Sequence, residues 1–89
     1  MTTVIISHSV GDMNTWLKGG EDRKALFSKV CSSHRIFKQD GTNRVSIVCE
    51  NVDLAKMQEV MNAPETAKAK AAHTVMDPLE VYIEIPGGA

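Results

Sequence analysis

Residues 3–17, TVIISHSVGDMNTWL, have the pattern of a β-strand that turns directly into an α-helix. Its first half is rich in β-branched residues, and alternation places four side chains on one face of the strand: Val4, Ile6, His8 and Val10. Gly11 ends the strand, and Asp12 suits a helix N-cap because its carboxylate can accept a free backbone N–H. The stretch raises the question whether His8, Asp12 and Trp16 form a site or only the joint between two elements.

The helix after Asp12 carries an apolar stripe that two glycines interrupt. The stripe comprises Met13, Trp16, Leu17, Gly20, Phe27, Val30 and Cys31. Each glycine inside a helix costs about 1 kcal/mol relative to alanine. The sequence therefore predicts a break at Gly19-Gly20 that divides this helical region into two parts.

The middle of the chain predicts a β-hairpin. The runs HRIFKQD (residues 34–40) and NRVSIVCE (residues 43–50) have the composition of strands. The residues between them, Asp40-Gly41-Thr42-Asn43, are typical of a hairpin turn.

The last third predicts a second broken helix and a final strand. Asp53 is expected to cap a helix with four apolar residues on one side: Leu54, Met57, Val60 and Met61. Pro64 suits the first turn of a further short helix that extends to about His73. After Pro78, the run LEVYIEI (residues 79–85) alternates as a strand.

The order β-α-β-β-α-β predicts an α+β, ferredoxin-like fold in a single domain, residues 1–89. Two right-handed crossovers give a four-stranded antiparallel sheet with strand order 4-1-3-2 and both helical regions on one face. The side chains expected toward the helices include Val45, Ile47, Cys49, Val81, Ile83 and Ile85. The opposite face is expected to carry Ile5, Ile36, Val48 and Tyr82. That face is too apolar to remain in water, so we expect a homodimer in which two sheets pack together.

Composition narrows the class of protein. The 89 residues are 43 % hydrophobic and 24 % charged, values that are typical of a globular protein. The formal net charge is -1 and the sequence predicts no basic face, so we expect no binding of nucleic acid. The N-terminal sequence has neither a basic segment nor a long apolar run, so we expect no signal peptide and no membrane span. Cys31 and Cys49 match no metal-ligand spacing and are expected to be small buried thiols in a cytoplasmic protein.

The spacing His8-x-Val10-x-Asp12-x-x-x-Trp16 resembles the opening of small dimeric α+β barrel proteins of the antibiotic-biosynthesis-monooxygenase-like superfamily. The resemblance continues through DGTNRVSIVCENVDLAKMQEVMNAPETAKAK (residues 40–70) and covers nearly the whole chain. It implies the dimeric barrel fold. The superfamily includes cofactor-free oxygenases, haem-degrading enzymes, isomerases and ligand-binding proteins, so the resemblance implies no single activity.

This sequence departs from the enzymes of that superfamily. Haem-degrading relatives place an asparagine on the first strand, a tryptophan on the sheet and a histidine on the second helix. Here the first strand has no asparagine, the only tryptophan is Trp16 on the first helix, and His73 lies near the end of the second helical region. That residue set does not transfer, and we expect no cofactor.

The candidate site lies between the sheet and the helices. The side chains expected to line it are His8, Asp12, Trp16, Phe27, Met57 and Met61, and Met13 and Met76 would add to an adaptable lining. His8 is expected to be at least partly buried, either as a structural histidine or as a catalytic base. No histidine spacing suits a metal, and none is expected.

Three functions fit this site. The first is binding of a small apolar or aromatic molecule. The second is a cofactor-free monooxygenase or isomerase with His8 as base. The third is a structural or regulatory dimer whose core is filled by its own side chains. A cavity of a few hundred Å³ beside His8 and Trp16 would favour the first over the third.

Overall fold

The computed structural model describes residues 2–88. Within them the elements are β1 (Thr2–Val10), α1 (Met13–Lys18), α2 (Gly20–Phe27), β2 (Ser33–Lys38), β3 (Arg44–Val52), α3 (Leu54–Asn62), α4 (Pro64–Ala72) and β4 (Val75–Ile83). The sheet has the order β2-β3-β1-β4, and all neighbouring strands are antiparallel. The predicted α+β, ferredoxin-like fold and its strand order are confirmed.

Both predicted helix breaks are present, and each has a local cause. Gly19 separates α1 from α2, and Ala63 separates α3 from α4, where Pro64 occupies the first helical turn. Asp12 caps α1 by accepting a hydrogen bond of 3.0 Å from the backbone N–H of Thr15. Asp53 caps α3 in the same way, at 3.1 Å from the N–H of Lys56. Each helical region therefore consists of two short helices separated by a single residue, Gly19 in the first region and Ala63 in the second.

The core lies between the sheet and the helices. Register pairs Ile6 with Ile47 and His8 with Val45, and directly paired residues share a face of the sheet. The buried apolar residues are Val4, Ile6, Val10, Trp16, Phe27, Val30, Val45, Ile47, Cys49, Val52 and Met57. Alternation along β1 thus places His8 in the buried layer, as predicted.

Strand β2 is shifted by one residue from the predicted phase. Ile36 pairs with Ile47 and so lies on the helix side, whereas Phe37 pairs with Ser46 and lies on the open face. The prediction that put Ile36 on the open face is wrong. The strand is an edge strand and mostly exposed, so its residues do not alternate between apolar and polar and leave the phase unspecified.

The prediction for Leu17 also needs correction. Leu17 is 59 % exposed, because α1 ends at Lys18 and the break removes Leu17 from the stripe that α2 continues. Val81 and Ile83 pair with Ile6 and Val4 and do lie on the helix side, but they remain exposed because the helices do not cover that end of β4. Ile85, beyond the strand, is exposed as well.

Strand β4 begins earlier than predicted. It starts at Val75 and includes Pro78, which an edge strand tolerates because its outer N–H groups need no partner. Between Ser7 and Ser9 the pairing of β1 with β4 shifts register, so that Ser7 faces Glu80 and Ser9 faces Met76. This irregularity lies beside His8.

Candidate functional site

A cavity of about 260 Å³ lies between the sheet and the helix layer. Its floor is formed by β1, β3 and β4, and its walls by α2, α3 and α4, with Trp16 contributed by α1. Most of the lining is apolar, and the smaller number of polar lining residues includes His8 and Arg23. The arrangement is typical of a small-molecule site.

His8 lines the cavity and is only 3 % exposed. Its Nδ1 lies 3.0 Å from the carbonyl oxygen of Ser9, which can only accept, so Nδ1 carries the proton. Burial lowers the pKa of His8 below its ordinary value. The hydrogen bond to Ser9 raises that pKa in part, and the positive charges of Arg23, Arg44 and Lys70 lower it further. The ring is therefore neutral at pH 7, and its Nε2 is a hydrogen-bond acceptor with no donor among the described residues.

Trp16 and Arg23 form a stacked pair in the wall of the cavity. The guanidinium carbon of Arg23 lies 3.7 Å from the centre of the Trp16 ring, a cation–π contact. Nη2 of Arg23 also donates a hydrogen bond to the carbonyl oxygen of Trp16. The Trp16 ring meets His8 edge-on, with 6.1 Å between ring centres. Trp16 thus contacts two polar side chains of the lining, Arg23 and His8.

Arg23 is a site residue that the predicted apolar stripe does not include. A charged residue on a helix is usually solvated, and the stripe therefore passes from Gly20 to Phe27 without it. Position 23 lies three residues after Gly20, four before Phe27 and seven after Trp16, so spacing alone places it on the buried stripe. The structure shows Arg23 only 8 % exposed and lining the cavity.

The apolar wall agrees in part with prediction. Phe27, Met57 and Met61 line the cavity, together with Leu26, Val60 and Leu79. Met13 packs against the core outside the cavity, and Met76 is exposed, so the prediction that these two methionines extend the lining is wrong.

Asp12 is outside the cavity, contrary to its predicted place among the lining residues. Its carboxylate is exposed and caps α1, and the hydrogen bond from Thr15 lowers the pKa of Asp12. The backbone N–H of Asp12 donates to Oγ1 of Thr74 at 3.0 Å, and that hydroxyl donates to the carbonyl of Asp12 at 3.1 Å. Asp12 is a structural joint, while His8 and Trp16 face the site.

Thr74 completes this joint in a strained conformation. Its φ is 58°, in the left-handed region that a β-branched residue rarely adopts. The carbonyl of Thr74 accepts from the N–H of Gly11 at 2.8 Å, in addition to the two hydroxyl bonds to Asp12. These bonds hold the turn between α4 and β4 against the start of α1, next to the cavity.

Charged or titratable side chains form the more exposed part of the cavity lining, at its mouth: Asp22, Glu65, Lys70 and His73. Nε2 of His73 lies 3.7 Å from Asp22, and Nζ of Lys70 lies 3.3 Å from Asp77. The His73 ring packs on Gly19, where an added Cβ would be 2.6 Å from Cε1 and Nε2. The break at Gly19 therefore makes room for a ring that forms part of the mouth.

In residues 2–88, no three His, Cys, Asp or Glu side chains are grouped so that they could hold a metal ion. None of the helices in that part of the chain has the length and apolar character needed to cross a membrane.

Comparison with known proteins identifies the fold. No protein-family model and no curated protein matches the sequence. An uncharacterized NIPSNAP domain protein from Burkholderia xenovorans superposes with a TM-score of 0.71 at 13 % identity, over 98 % of this chain and 95 % of its own. A crystal structure of an antibiotic biosynthesis monooxygenase superposes with a TM-score of 0.61 at 13 % identity, over 96 % of this chain and 97 % of its own.

SnoaB, a cofactor-independent oxygenase from Streptomyces nogalater, has a TM-score of 0.62 at 13 % identity, over 94 % of this chain and 89 % of its own. At such identities the likeness concerns the fold alone. The predicted resemblance to the antibiotic-biosynthesis-monooxygenase-like superfamily is confirmed at that level.

Proposed function

We propose that this protein binds a small, largely apolar or aromatic molecule between its sheet and its helices. The observation that carries the proposal is the cavity of about 260 Å³ beside His8 and Trp16. An apolar cavity of about 150 Å³ is sufficient to hold benzene. The volume here supports a single aromatic ring with a short substituent, and it disfavours the alternative in which side chains fill the core.

Native mass spectrometry of the purified protein tests the proposal. We expect a species heavier than the chain by a small molecule, and the extra mass should disappear when the protein is denatured. A matched pair of variants on α4 locates the site. Ala69 lines the cavity and Ala67 is exposed, so Ala69→Leu should abolish retention and Ala67→Leu should preserve it. Equal retention by both variants, or no binding of any aromatic fragment by the wild type, would refute binding in this cavity.

A second candidate function is a cofactor-free monooxygenase or isomerase with His8 as the base. It is supported by the neutral ring of His8, whose Nδ1 is bonded to Ser9 and whose Nε2 is free to accept a proton. The base would take the proton of an acidic phenol or enol, and return of that proton to another atom would give isomerisation. A fold shared with a cofactor-independent oxygenase adds support by analogy.

His8→Gln tests the enzymatic candidate. Glutamine keeps a hydrogen bond but cannot accept and release a proton near neutral pH. Turnover of a phenol or quinol by the wild type and its loss in the variant would support a base. Equal rates in the two proteins would eliminate His8 from that role.

The proposal includes a homodimer formed through the open face of the sheet. The apolar side chains there are Ile5, Phe37, Val48 and Tyr82, and three of them are among the exposed large hydrophobic residues: Ile5, Phe37 and Tyr82. Two such faces packed together would remove them from water. Light scattering at micromolar concentration should give twice the mass of the chain, and a monomer would refute this part.

The proposal also places the protein in the cytoplasm. Cys31 and Cys49 are both free thiols, and burial raises the pKa of Cys49 to about 12. Thiols persist in reducing compartments, which supports this location.

A further inference from the structure

Arg23 is a buried cation, and the described residues give it no counter-charge. No carboxylate among residues 2–88 lies within ion-pair distance of its guanidinium. A buried charge is costly unless it is paired, and proteins therefore rarely leave one without a partner. Burial lowers the pKa of Arg23, but an arginine remains charged at neutral pH.

Most hydrogen-bonding capacity of this guanidinium is unused. Arginine has five N–H donors, and the carbonyl oxygen of Trp16 is the only acceptor that the described residues offer to them. One face of the group is covered by the Trp16 ring. No fully buried side-chain nitrogen or oxygen in the described residues lacks a partner, so the guanidinium nitrogens without an acceptor must keep some exposed surface. Arg23 lines the cavity, where a ligand could reach that surface.

The other charged or titratable side chains around the cavity are either close to a group of opposite sign or exposed. Lys70 pairs with Asp77, and Asp22 approaches His73, both at the mouth. Glu65 is exposed there. Among residues 2–88, the buried charge of the lining that has no ion-pair partner is thus that of Arg23, and it is positive.

Resting on the proposed function, we infer that the ligand is a single-ring aromatic carboxylate and that Arg23 is the residue that selects its acidic group. A carboxylate matches the planar fork of a guanidinium with two parallel hydrogen bonds. It is also ionised at neutral pH, whereas a simple phenol, with a pKa near 10, is not. The apolar ring would occupy the space beside Met57, Val60 and Leu26.

Isothermal titration calorimetry with phenylacetate and phenylacetamide tests the inference, because the two compounds have nearly the same shape and differ in charge. Wild-type protein should bind the acid about ten- to a hundredfold more tightly, the factor expected for hydrogen bonds to a charged group. In Arg23→Met that preference should vanish. In Arg23→Lys, which keeps the charge but not the fork, it should be intermediate. Trp16 is the only tryptophan, so its fluorescence gives an independent binding signal.

Lys70→Met removes the other cation of the cavity lining, which is paired with Asp77. Lys24→Met is the matched control, since Lys24 is an exposed cation on α2 that does not line the cavity. Both variants should keep the preference for the acid within about twofold. Equal wild-type affinity for acid and amide would overturn the inference and leave the proposed function standing. Binding of neither compound would overturn the inference, while retention in the mass-spectrometry experiment would judge the proposed function separately. A preference that persists in Arg23→Met but is lost in Lys70→Met would overturn the assignment to Arg23, and the wild-type comparison remains decisive if Arg23→Met does not fold.

Discussion

Alanine substitution of the two adjacent glycines at the first helix break, Gly19 and Gly20, should change the free energy of unfolding in opposite directions. A Cβ on Gly19 would lie 2.6 Å from two atoms of the His73 ring and 2.8 Å from a third, whereas a Cβ on Gly20 meets nothing within 4 Å. The φ of Gly19 is −83°, which any residue can adopt, so the difference comes from the contact and not from the backbone. The ring would have to retreat by roughly 0.8 Å to reach the 3.4 Å of an ordinary contact.

Overpacking of this kind costs typically 1–3 kcal/mol, so we expect Gly19→Ala to lower the free energy of unfolding by about that amount. Gly20→Ala should raise it by about 0.4–1 kcal/mol, because alanine reduces the conformational freedom of the unfolded chain. Urea denaturation followed by far-UV circular dichroism measures both values. His73→Ala removes the obstructing ring, and in that background Gly19→Ala should become neutral or stabilising. A neutral effect of Gly19→Ala in the wild type, or the same cost with and without the His73 ring, would show that contact with the ring is not the cause.

Other expected outcomes concern the joint and the site. Trp16→Ala should lower the free energy of unfolding by about 3–5 kcal/mol, as for other buried large aromatics, and a loss below about 1 kcal/mol would contradict its burial. Because the folded pKa of His8 is lowered, the unfolded chain binds its proton first as pH falls. Stability should therefore decrease as pH falls through the ordinary value of 6.5 and level off below the folded pKa. Denaturation of wild type and His8→Gln between pH 5 and pH 8, the range in which histidine titrates, should show that this component disappears in the variant, and an unchanged profile would assign it to another group. Asp12→Asn should leave phenylacetate binding unchanged in calorimetry, since Asp12 caps α1 outside the cavity, and weaker binding would return Asp12 to the site.

The parts of the fold that sequence predicts are those with strong local signals. Gly19 and Pro64 break helices for reasons of backbone chemistry that hold in any context. Strand β1 alternates cleanly, so its inward face, and with it His8, follows from the pattern. The strand order then follows from handed crossovers between elements of known sequence order.

The errors occur where local sequence underdetermines the structure. Ile36 lies on an exposed edge strand whose phase no buried face enforces. Leu17 belongs to the apolar stripe by spacing, but the break after Lys18 removes it. Pro78 marks the middle of an edge strand here instead of its beginning.

The candidate site shows the same division. His8, Trp16, Phe27, Met57 and Met61 were predicted from periodicity, and the structure brings them to one cavity. Arg23 was not predicted, because an arginine on a helix is usually exposed to solvent, although its spacing places it on the buried stripe. Stacking on the Trp16 ring and a hydrogen bond to the Trp16 carbonyl stabilise the buried guanidinium of Arg23. These contacts depend on how α1 and α2 lie relative to each other, which the sequence pattern does not specify.

The strand order also has a consequence for synthesis on the ribosome. Strand β1 lies between β3 and β4, so the first strand to be made pairs on one side with the last, as Val4 does with Ile83. The helices between them have 6 to 9 residues, shorter than the roughly 12–15 at which an isolated helix becomes marginally stable in water. Until Val75–Ile83 has left the exit tunnel, one edge of β1 presents unpaired backbone groups to other nascent chains. Closure of the sheet, and with it the cavity wall that contains Leu79, therefore has to wait until β4 has been synthesised.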